Sequence, residues 1–383
     1  MGPLHGLKVI ELGGQGPGPF GAMFLADLGA EVIRIDRPAE VGKAAGDPVL
    51  RRGRRSVAVD LKHPRGVAVA KALIDRTDVL IEGYRPGVTE RLGLGPDVFT
   101  TSNPRLVYAR MTGWGQDGPL ARVAGHDVNY SALAGVIGAI GRPGTGPVIP
   151  INLIADFGGG GMLLAVGVLA ALHSRAHTGK GQVVDVAMVD GAAALLGSFY
   201  AAAAMGLWTE PGTNPLDGGA YFYDTYETAD GGHVAFGAIE PQFHRAMLET
   251  LGLDPADFAG QEDRTRWPAR KKQIADVVRR RTRDEWVARF DGVDACFSPV
   301  LTLAEVPRHP HHVARGGFVE IDGLVQPAPA PRFGGTPAAR PAGVAPTGGA
   351  TRQVLAEHGF ADADIEQLLA SGAIGATPRK DSL

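Results

Sequence analysis

The fold is decided by residues 7–36, which read LKVIELGGQGPGPFGAMFLADLGAEVIRID. Apolar runs at 7–12 and 31–36 flank a glycine-rich turn and a longer apolar segment at 20–28. Short runs rich in valine, isoleucine and leucine predict strands, and the longer segment between them predicts a helix. A strand, a helix and a second strand in this order form a βαβ unit with parallel strands. We therefore predict an α/β fold.

The turn in this stretch also matches the dinucleotide-binding pattern G-x-G-x-x-G, from Gly16 to Gly21, with Asp36 at the end of the next strand. In that pattern backbone N–H groups hold the pyrophosphate, and proline has no N–H to donate. Pro17 and Pro19 therefore remove two donors. We interpret the turn as one that lets helix and strand pack closely, and keep a dinucleotide-dependent oxidoreductase as an alternative.

The chain after the first βαβ unit continues the same alternation. Further strands are predicted at 56–61, 78–82, 105–110 and 183–187, with helices at 64–76 and 88–92. Apolar strands that alternate with helices form a parallel sheet covered on both faces. Such sheets bind ligands at the carboxyl ends of their strands. The sequence therefore predicts a large parallel-sheet domain over 1–205, with its ligand site at one edge of the sheet.

Basic side chains follow several of the predicted strands. They are Arg37, Arg51, Arg52, Arg54, Arg55, Lys62, Arg85 and Arg91. The whole chain has 38 Lys and Arg against 41 Asp and Glu, so it offers no general attraction for nucleic acid or an acidic membrane surface. A local basic cluster in such a chain indicates a phosphate-bearing ligand, because guanidinium groups match phosphate oxygens. A solvated basic loop remains the alternative for 51–55.

The central part of the chain contains two side chains that can transfer protons. His126 lies in the sequence GHD, and Asp156 begins the sequence DFGGGG. A histidine titrates near neutral pH, and a carboxylate at a helix start lies beside unpaired backbone N–H groups that can hold a developing oxyanion. This pattern predicts an acid–base site. The alternative is structural, with Asp156 as a helix cap and His126 as a loop histidine.

The composition changes after residue 205. Segments 206–221 and 306–335 are rich in glycine and proline, as linkers are. Between them, a turn sequence at 229–232 predicts a hairpin, and the charged helical sequence that follows predicts a small α+β domain over 222–305. Residues 336–383 are predicted to return to the large domain.

Other features indicate a cytoplasmic protein without a metal site. The single cysteine, Cys296, excludes an intramolecular disulfide and is predicted to be buried as a small apolar residue. We find no signal-peptide pattern, and the longest apolar run, 157–172, is shorter than a membrane span. His309, His311 and His312 lie among prolines without a carboxylate cluster, so they predict an extended surface segment.

Several motifs together are specific. They are DLGAEVIRID at 27–36, EGYRPG at 82–87, TGWGQ at 112–116, GHD at 125–127, DFGGG at 156–160, GKGQ at 179–182 and GAIEPQ at 237–242. With these motifs nearly the whole chain resembles the α-methylacyl-CoA racemases, within the family III CoA-transferase superfamily. The GHD motif separates the branches, because transferases typically carry a large non-basic residue where His126 stands.

The resemblance implies an interlocked homodimer in which each chain has a large Rossmann-like domain and a small domain. His126 and Asp156 would be two acid–base groups that invert the α-carbon of a 2-methylacyl-CoA, and Glu240, from the partner's small domain, would hydrogen-bond His126. The expected CoA contacts are Arg37, Arg55, Lys62, Tyr84, Arg85, Arg91, Gly125 and Asp127. No cofactor beyond the CoA of the substrate is expected. The alternative is a CoA-transferase in which Asp156 attacks the thioester.

Overall fold

The computed structural model describes residues 2–43 and 46–378. The strands, in chain order, are β1 (Lys8–Leu12), β2 (Glu31–Asp36), β3 (Arg54–Val59), β4 (Val79–Glu82), β5 (Val107–Thr112), β6 (Val183–Ala187), β7 (Tyr223–Glu227), β8 (His233–Gly237), β9 (Phe297–Pro299), β10 (Phe318–Ile321), β11 (Leu324–Pro327) and β12 (Ile374–Gly375). The six strands predicted for the parallel sheet are all present.

The α-helices, in chain order, are α1 (Pro17–Asp27), α2 (Pro64–Ile74), α3 (Val88–Arg91), α4 (Pro96–Ser102), α5 (Asp127–Leu133), α6 (Val136–Ala139), α7 (Leu163–Thr178), α8 (Met188–Leu195), α9 (Gly197–Ala204), α10 (Pro241–Leu251), α11 (Trp267–Val278), α12 (Arg283–Arg289), α13 (Pro310–Arg315), α14 (Thr351–Glu357) and α15 (Asp362–Ala370). A π-helix, Ile154–Met162, precedes α7 directly. Proline occupies the first turn of α1, α2, α4 and α10, where its missing N–H removes no helical hydrogen bond.

The chain divides into two compact units. The larger unit comprises the described parts of 1–134, 151–195 and 314–383. It is built on a seven-stranded sheet with the order β12-β3-β2-β1-β4-β5-β6, in which only the pairing of β12 with β3 is antiparallel. The strand order reverses between β1 and β4, as in doubly wound α/β proteins, and such sheets bind ligands at that point.

The sheet of the larger unit is covered on both faces. Every residue of β4 and β5 is buried, which explains why these strands are nearly continuous apolar runs without alternation. The core on one face joins Ile10, Ile33 and Leu80 of the strands to Leu73 of α2 and Val354 of α14. The predicted parallel sheet is therefore confirmed.

The smaller unit comprises residues 135–150 and 196–313. Its sheet has the order β7-β8-β9 and is antiparallel throughout. The predicted hairpin is present as β7 and β8. Helices α10, α11 and α12 contribute to a core rich in aromatic side chains, including Tyr221, Phe236, Trp267, Trp286 and Phe290.

These units differ from the predicted domains in four segments. Residues 135–150 and 196–205, assigned from the sequence to the large domain, belong to the smaller unit, as does the predicted linker 206–221. The predicted linker 306–335 contains α13 and the hairpin of β10 and β11. The alanine-rich sequence at 190–205 is divided between two helices, α8 and α9, which are separated at Leu196.

A continuous helical segment runs from Ile151 to Thr178, through a 3₁₀ turn, the π-helix and α7. It is longer than the apolar run identified in the sequence, and by length and hydropathy it is the one described helix that meets the requirements for a membrane span. Leu164, Val168 and Ala171 of α7 are buried, and α7 packs against α1, β5 and β6. A core helix of an α/β domain has this packing.

The prediction that Cys296 is buried is wrong. Its side chain is exposed, whereas the preceding Ala295 is fully buried. The backbone at Cys296 has a positive φ of 49°, a conformation that L-residues seldom adopt.

Candidate active site

A cleft of about 700 Å³ lies where the strand order of the large sheet reverses. It is lined by the segments 14–18 and 83–86, which follow β1 and β4, and by 111–114, which contains the end of β5 and the residues after it. These segments leave the carboxyl ends of parallel strands, so they lie at the same edge of the sheet. This is the edge at which the sequence predicted a ligand site. Tyr84, Arg85, Gly125, His126 and Asp156, five of the predicted site residues, line the cleft.

His126 is held by its backbone at the start of α5. It is the N-cap residue of this helix, and its backbone N–H donates to Oδ1 of Asn129 at 3.0 Å. The carbonyl of the preceding Gly125 accepts a hydrogen bond from the Tyr130 hydroxyl, and the Tyr130 ring packs edge-to-face on Trp114 at 4.7 Å. The imidazole itself is exposed in the cleft. The helix start therefore fixes the residue while its ring stays accessible to a ligand.

Asp156 enters the same cleft from the first turn of the π-helix. Its backbone N–H donates to Oδ2 of Asp127 at 2.8 Å, and its own Oδ2 accepts from the Asn152 amide at 3.1 Å. The side chain is half-buried. A π-helix is uncommon and often occurs at a functional site, because its wider turn displaces one side chain from the α-helical register.

The surroundings of Asp156 favour its neutral form. Burial raises the pKa of this carboxyl above its ordinary value, and the nearby charge of Asp127 also raises it. The hydrogen bond from Asn152 and the proximity of His126 oppose the increase. A carboxyl whose pKa is raised toward neutrality both accepts and returns a proton more readily at neutral pH.

The glycine run after Asp156 is explained by close backbone packing. A Cβ on Gly159 would lie 2.5 Å from the backbone N of Ala192 in α8, and one on Gly161 would lie 2.7 Å from the carbonyl oxygen of Pro17 in α1. The π-helix therefore touches two neighbouring helices through positions that cannot carry a side chain. This contact determines where Asp156 sits relative to the sheet.

Replacing Gly159 by alanine is expected to destabilise the protein by about 1–3 kcal/mol, because the clash is with backbone that cannot rotate away. We expect a lower midpoint of urea unfolding and a loss of activity from the displaced Asp156. Gly197→Ala is the matched control, since Gly197 is also helical and a Cβ there has no neighbour within 4 Å. Equal stability of the two variants would contradict the packing argument.

The glycine turn after β1 does not suit a dinucleotide. Gly16 has a positive φ of 64°, and a Cβ there would lie 3.2 Å from Oδ2 of Asp156. The turn therefore faces the carboxyl group of Asp156, which offers no positive charge to hold a pyrophosphate. Together with the N–H groups missing at Pro17 and Pro19, this contact argues against a dinucleotide-dependent oxidoreductase.

Arg55, a predicted CoA contact, does not lie at the carboxyl edge of the sheet. It is the second residue of β3 and forms ion pairs with Glu31, the first residue of β2, at 2.8 Å and with Glu357 at 2.7 Å. These partners place it towards the amino ends of the strands. The assignment of Arg55 to CoA is therefore wrong.

The neighbouring Arg52 and Arg54 are buried and paired with carboxylates. Arg52 pairs with Asp27, and both are buried. Arg54 pairs with Glu11 of β1 at 2.9 Å, and Arg34 of β2 donates to the same carboxylate. Buried charges require such partners, because they have lost their hydration. The basic run at 51–55 is thus largely a structural feature rather than a phosphate site.

Three further predicted CoA contacts remain accessible, although they do not line the cleft itself. Arg37 follows β2, Lys62 follows β3 and Arg91 ends α3, and all three are exposed. Burial raises the pKa of the Tyr84 phenol, and the charge of Arg37 opposes this increase.

Asp127 is not available to CoA through its side chain. It is 7% exposed, and its Oδ2 accepts hydrogen bonds from the backbone N–H groups of Ala155 and Asp156. The carboxylate is therefore not open to a substrate, and any contact of CoA with Asp127 would have to be made by its backbone. The same bonds occupy two amides at the helix start, so neither of them is the oxyanion donor that the sequence suggested near Asp156.

Glu240 lies in the smaller unit, at the N-cap of α10. Its side chain is exposed, and among the described residues it makes no capping hydrogen bond. The carboxylate of Glu240 therefore does not cap α10, although the residue stands at the N-cap position.

Sequence reasoning missed several residues that shape the cleft. Tyr130, Trp114 and Asn152 line it and contact the segments that carry His126 or Asp156. The close approach of Tyr130 is visible in the glycines around it, because a Cβ on Gly113 or Gly125 would collide with its ring. Glycine at both positions was the available signal, although it does not reveal which side chain fills the space.

Comparisons with known proteins agree with this architecture. Residues 4–352 match the family model described as CoA-transferase family III. The chain is 48% identical to the α-methylacyl-CoA racemase of Homo sapiens over 383 residues, covering 99% of this chain and 100% of the human protein. It is 48% identical to the racemase of the same name from Mus musculus, covering 95% and 96% of the two chains.

Among solved structures, a CAIB/BAIF family protein from Brucella suis is similar over 93% of this chain and 99% of its own, with a TM-score of 0.81 and 25% sequence identity. Similarity over nearly the full length of both chains shows that the two units occur together in relatives.

Proposed function

Because this chain belongs to CoA-transferase family III, we propose that it uses the cleft to invert the α-carbon of 2-methylacyl-CoA thioesters. The observation that carries the proposal is that His126 and Asp156, from different parts of the chain, line one cleft at the carboxyl edge of the sheet. The identity to two α-methylacyl-CoA racemases over nearly the whole chain supports the same reaction. The chain is therefore assigned to the isomerases.

Inversion of the α-carbon requires two groups that transfer protons on opposite faces of the substrate. One group removes the α-proton, and the electron pair of the broken C–H bond moves into the thioester to form an enolate. The other group then donates a proton to the opposite face. His126 and Asp156 exchange these roles when the direction reverses, so the enzyme returns to its starting state after a forward and a reverse turnover.

The CoA part of the substrate is proposed to run along the edge of the sheet. Tyr84 and Arg85 line the cleft, and Arg37, Lys62 and Arg91 offer exposed cations at the carboxyl ends of β2 and β3 and at the end of α3. Guanidinium and ammonium groups in these positions match the phosphates of CoA. The phosphate contacts are assigned to these residues, without the buried arginines of 51–55.

A second copy of the chain is proposed to complete the site. Large apolar side chains are exposed on α5, the π-helix and α7, which pack together, and these side chains are Val128, Leu133, Met162, Leu163, Val166 and Leu169. A monomer seldom leaves such a surface open to water. The resemblance to the racemases implies a homodimer, in which the second copy would cover this surface and bring its Glu240 towards His126.

Sedimentation velocity is expected to show twice the chain mass of 39.9 kDa, and Val166→Glu is expected to shift the protein toward monomer.

The reaction is tested by incubating one enantiomer of a 2-methylacyl-CoA with the protein in D₂O, without any free carboxylic acid. We expect deuterium at the α-carbon together with loss of optical purity. The CoA-transferase alternative predicts neither, and instead predicts transfer of CoA when a carboxylic acid is added, through a mixed anhydride on Asp156. Transfer without α-exchange would overturn the racemase proposal.

A further inference from the structure

We propose that Asp127 is a positioning residue that holds the two proton-transferring groups at a fixed separation. Its backbone is bonded covalently to His126, and its buried carboxylate is hydrogen-bonded to the backbone of Asp156. This inference rests on the proposed function of His126 and Asp156, and it adds a residue whose carboxylate is bonded to the protein backbone rather than open to the substrate.

The contacts of the Asp127 carboxylate are directed at the π-helix. Oδ2 accepts from the N–H groups of Ala155 at 3.0 Å and Asp156 at 2.8 Å, and Oδ1 accepts from the Ser131 hydroxyl at 3.3 Å. Both oxygens therefore have donors, and the side chain is buried. A carboxylate that accepts backbone N–H groups at the start of a helix also interacts favourably with the helix dipole.

These bonds connect two segments that are distant in sequence. His126 is carried by α5 and Asp156 by the π-helix, and the two helices pack against each other. Without the carboxylate, no hydrogen bond from this side chain would hold the two helix starts in register, and their positions would depend on packing. Proton transfer is sensitive to such register, since a displacement of about 1 Å can cost about 10²-fold in rate.

The charge of Asp127 has a second effect that can be separated from its position. The groups near the Asp156 carboxyl include Asp127, His126 and Tyr130, and the negative charge of Asp127 raises the pKa of Asp156. Asparagine at position 127 keeps an oxygen that accepts the two N–H groups but removes the charge. Alanine removes both.

The test compares Asp127→Ala and Asp127→Asn by steady-state racemisation and by α-deuteration in D₂O. We expect Asp127→Ala to lower kcat by about 10²-fold with little change in KM, because substrate binding does not involve this carboxylate. We expect Asp127→Asn to recover most of kcat and to move the Asp156-dependent limb of the pH profile to lower pH. Asp78→Ala is the matched control, since Asp78 also accepts a backbone N–H, from Lys8 at 2.9 Å, but precedes β4 at the amino edge of the sheet.

The kinetic outcomes separate a positioning role of Asp127 from a role in substrate binding. A rise in KM at unchanged kcat in Asp127→Ala would overturn the inference and indicate a substrate contact instead. A folded Asp127→Asn variant that is as slow as Asp127→Ala would also overturn the inference. Circular dichroism and CoA affinity report folding, and Ser131→Ala, which frees only Oδ1, provides a milder version of the same disturbance. If the wild-type protein shows no α-exchange, the proposed function itself fails. Normal wild-type exchange with a fully active Asp127→Ala variant would overturn only the positioning role.

Discussion

Replacing Asp156 by asparagine is expected to lower racemisation by about 10²–10⁴-fold, the usual contribution of a positioned acid–base group, while α-proton exchange of one enantiomer persists. His126 still faces one side of the α-carbon in this variant, so it can remove a proton from the enantiomer that presents it. Once the imidazolium has exchanged with D₂O, it returns deuterium to the same face. The substrate is then deuterated with its configuration retained.

Replacing His126 by asparagine is expected to give the mirror result, with exchange confined to the opposite enantiomer. The measurement is ¹H NMR of the α-methyl signal for each enantiomer, followed by chiral separation of the products. Two folded variants that exchange the same enantiomer would contradict the assignment of the two groups to opposite faces. A CoA-transferase predicts a different contrast, since it requires Asp156 as the nucleophile and would retain transfer in His126→Asn.

The secondary structure of the large sheet was predictable because its signal is local. The bounds of β2 and β6 agree with the prediction at every residue, and both are apolar runs bordered by turn residues. The break between α8 and α9 was not predictable, since alanine-rich sequence on both sides of Leu196 favours helix throughout. The π-helix was missed for a related reason, because apolar periodicity does not distinguish its register from that of an α-helix.

The sequence was enough to single out His126 and Asp156 as candidates, but it did not predict the contacts that support them. His126 and Asp156 were identified by residue type and by resemblance, and both line the same cleft. The side-chain partners of Arg55 and Asp127 were not predictable for one reason, which is that a charged residue in a sequence does not show which group it pairs with in the fold. Arg55 pairs with Glu357, about three hundred positions later, and Asp127 binds amides in a different helix. Such pairings depend on tertiary structure and leave no local pattern.

Arg52 offers the sharpest test of this distinction between structural and ligand-binding arginines. Its Nε and Nη2 donate to the two carboxylate oxygens of Asp27 at 3.1 and 2.6 Å, and its Nη1 donates to Gln326 and to the carbonyl of Pro327. Arg52→Ala would leave the Asp27 carboxylate buried without its partner. We expect the free energy of unfolding to fall by about 3–5 kcal/mol, the usual cost of removing one member of a buried ion pair. Urea unfolding monitored by fluorescence measures this loss.

Arg85→Ala is the reciprocal control, because Arg85 is exposed and lines the cleft. We expect its unfolding free energy to match that of the wild type and its KM for the acyl-CoA to rise by about 10–100-fold, since a hydrogen bond to a charged group contributes about 1.5–3 kcal/mol. Arg52→Ala, assayed without urea at a temperature where it stays folded, is expected to keep its affinity for CoA. A stable Arg52→Ala variant with weakened CoA binding would instead place the phosphate site at residues 51–55. Removing a solvated arginine that binds a ligand lowers the affinity of the protein for that ligand but leaves its stability unchanged.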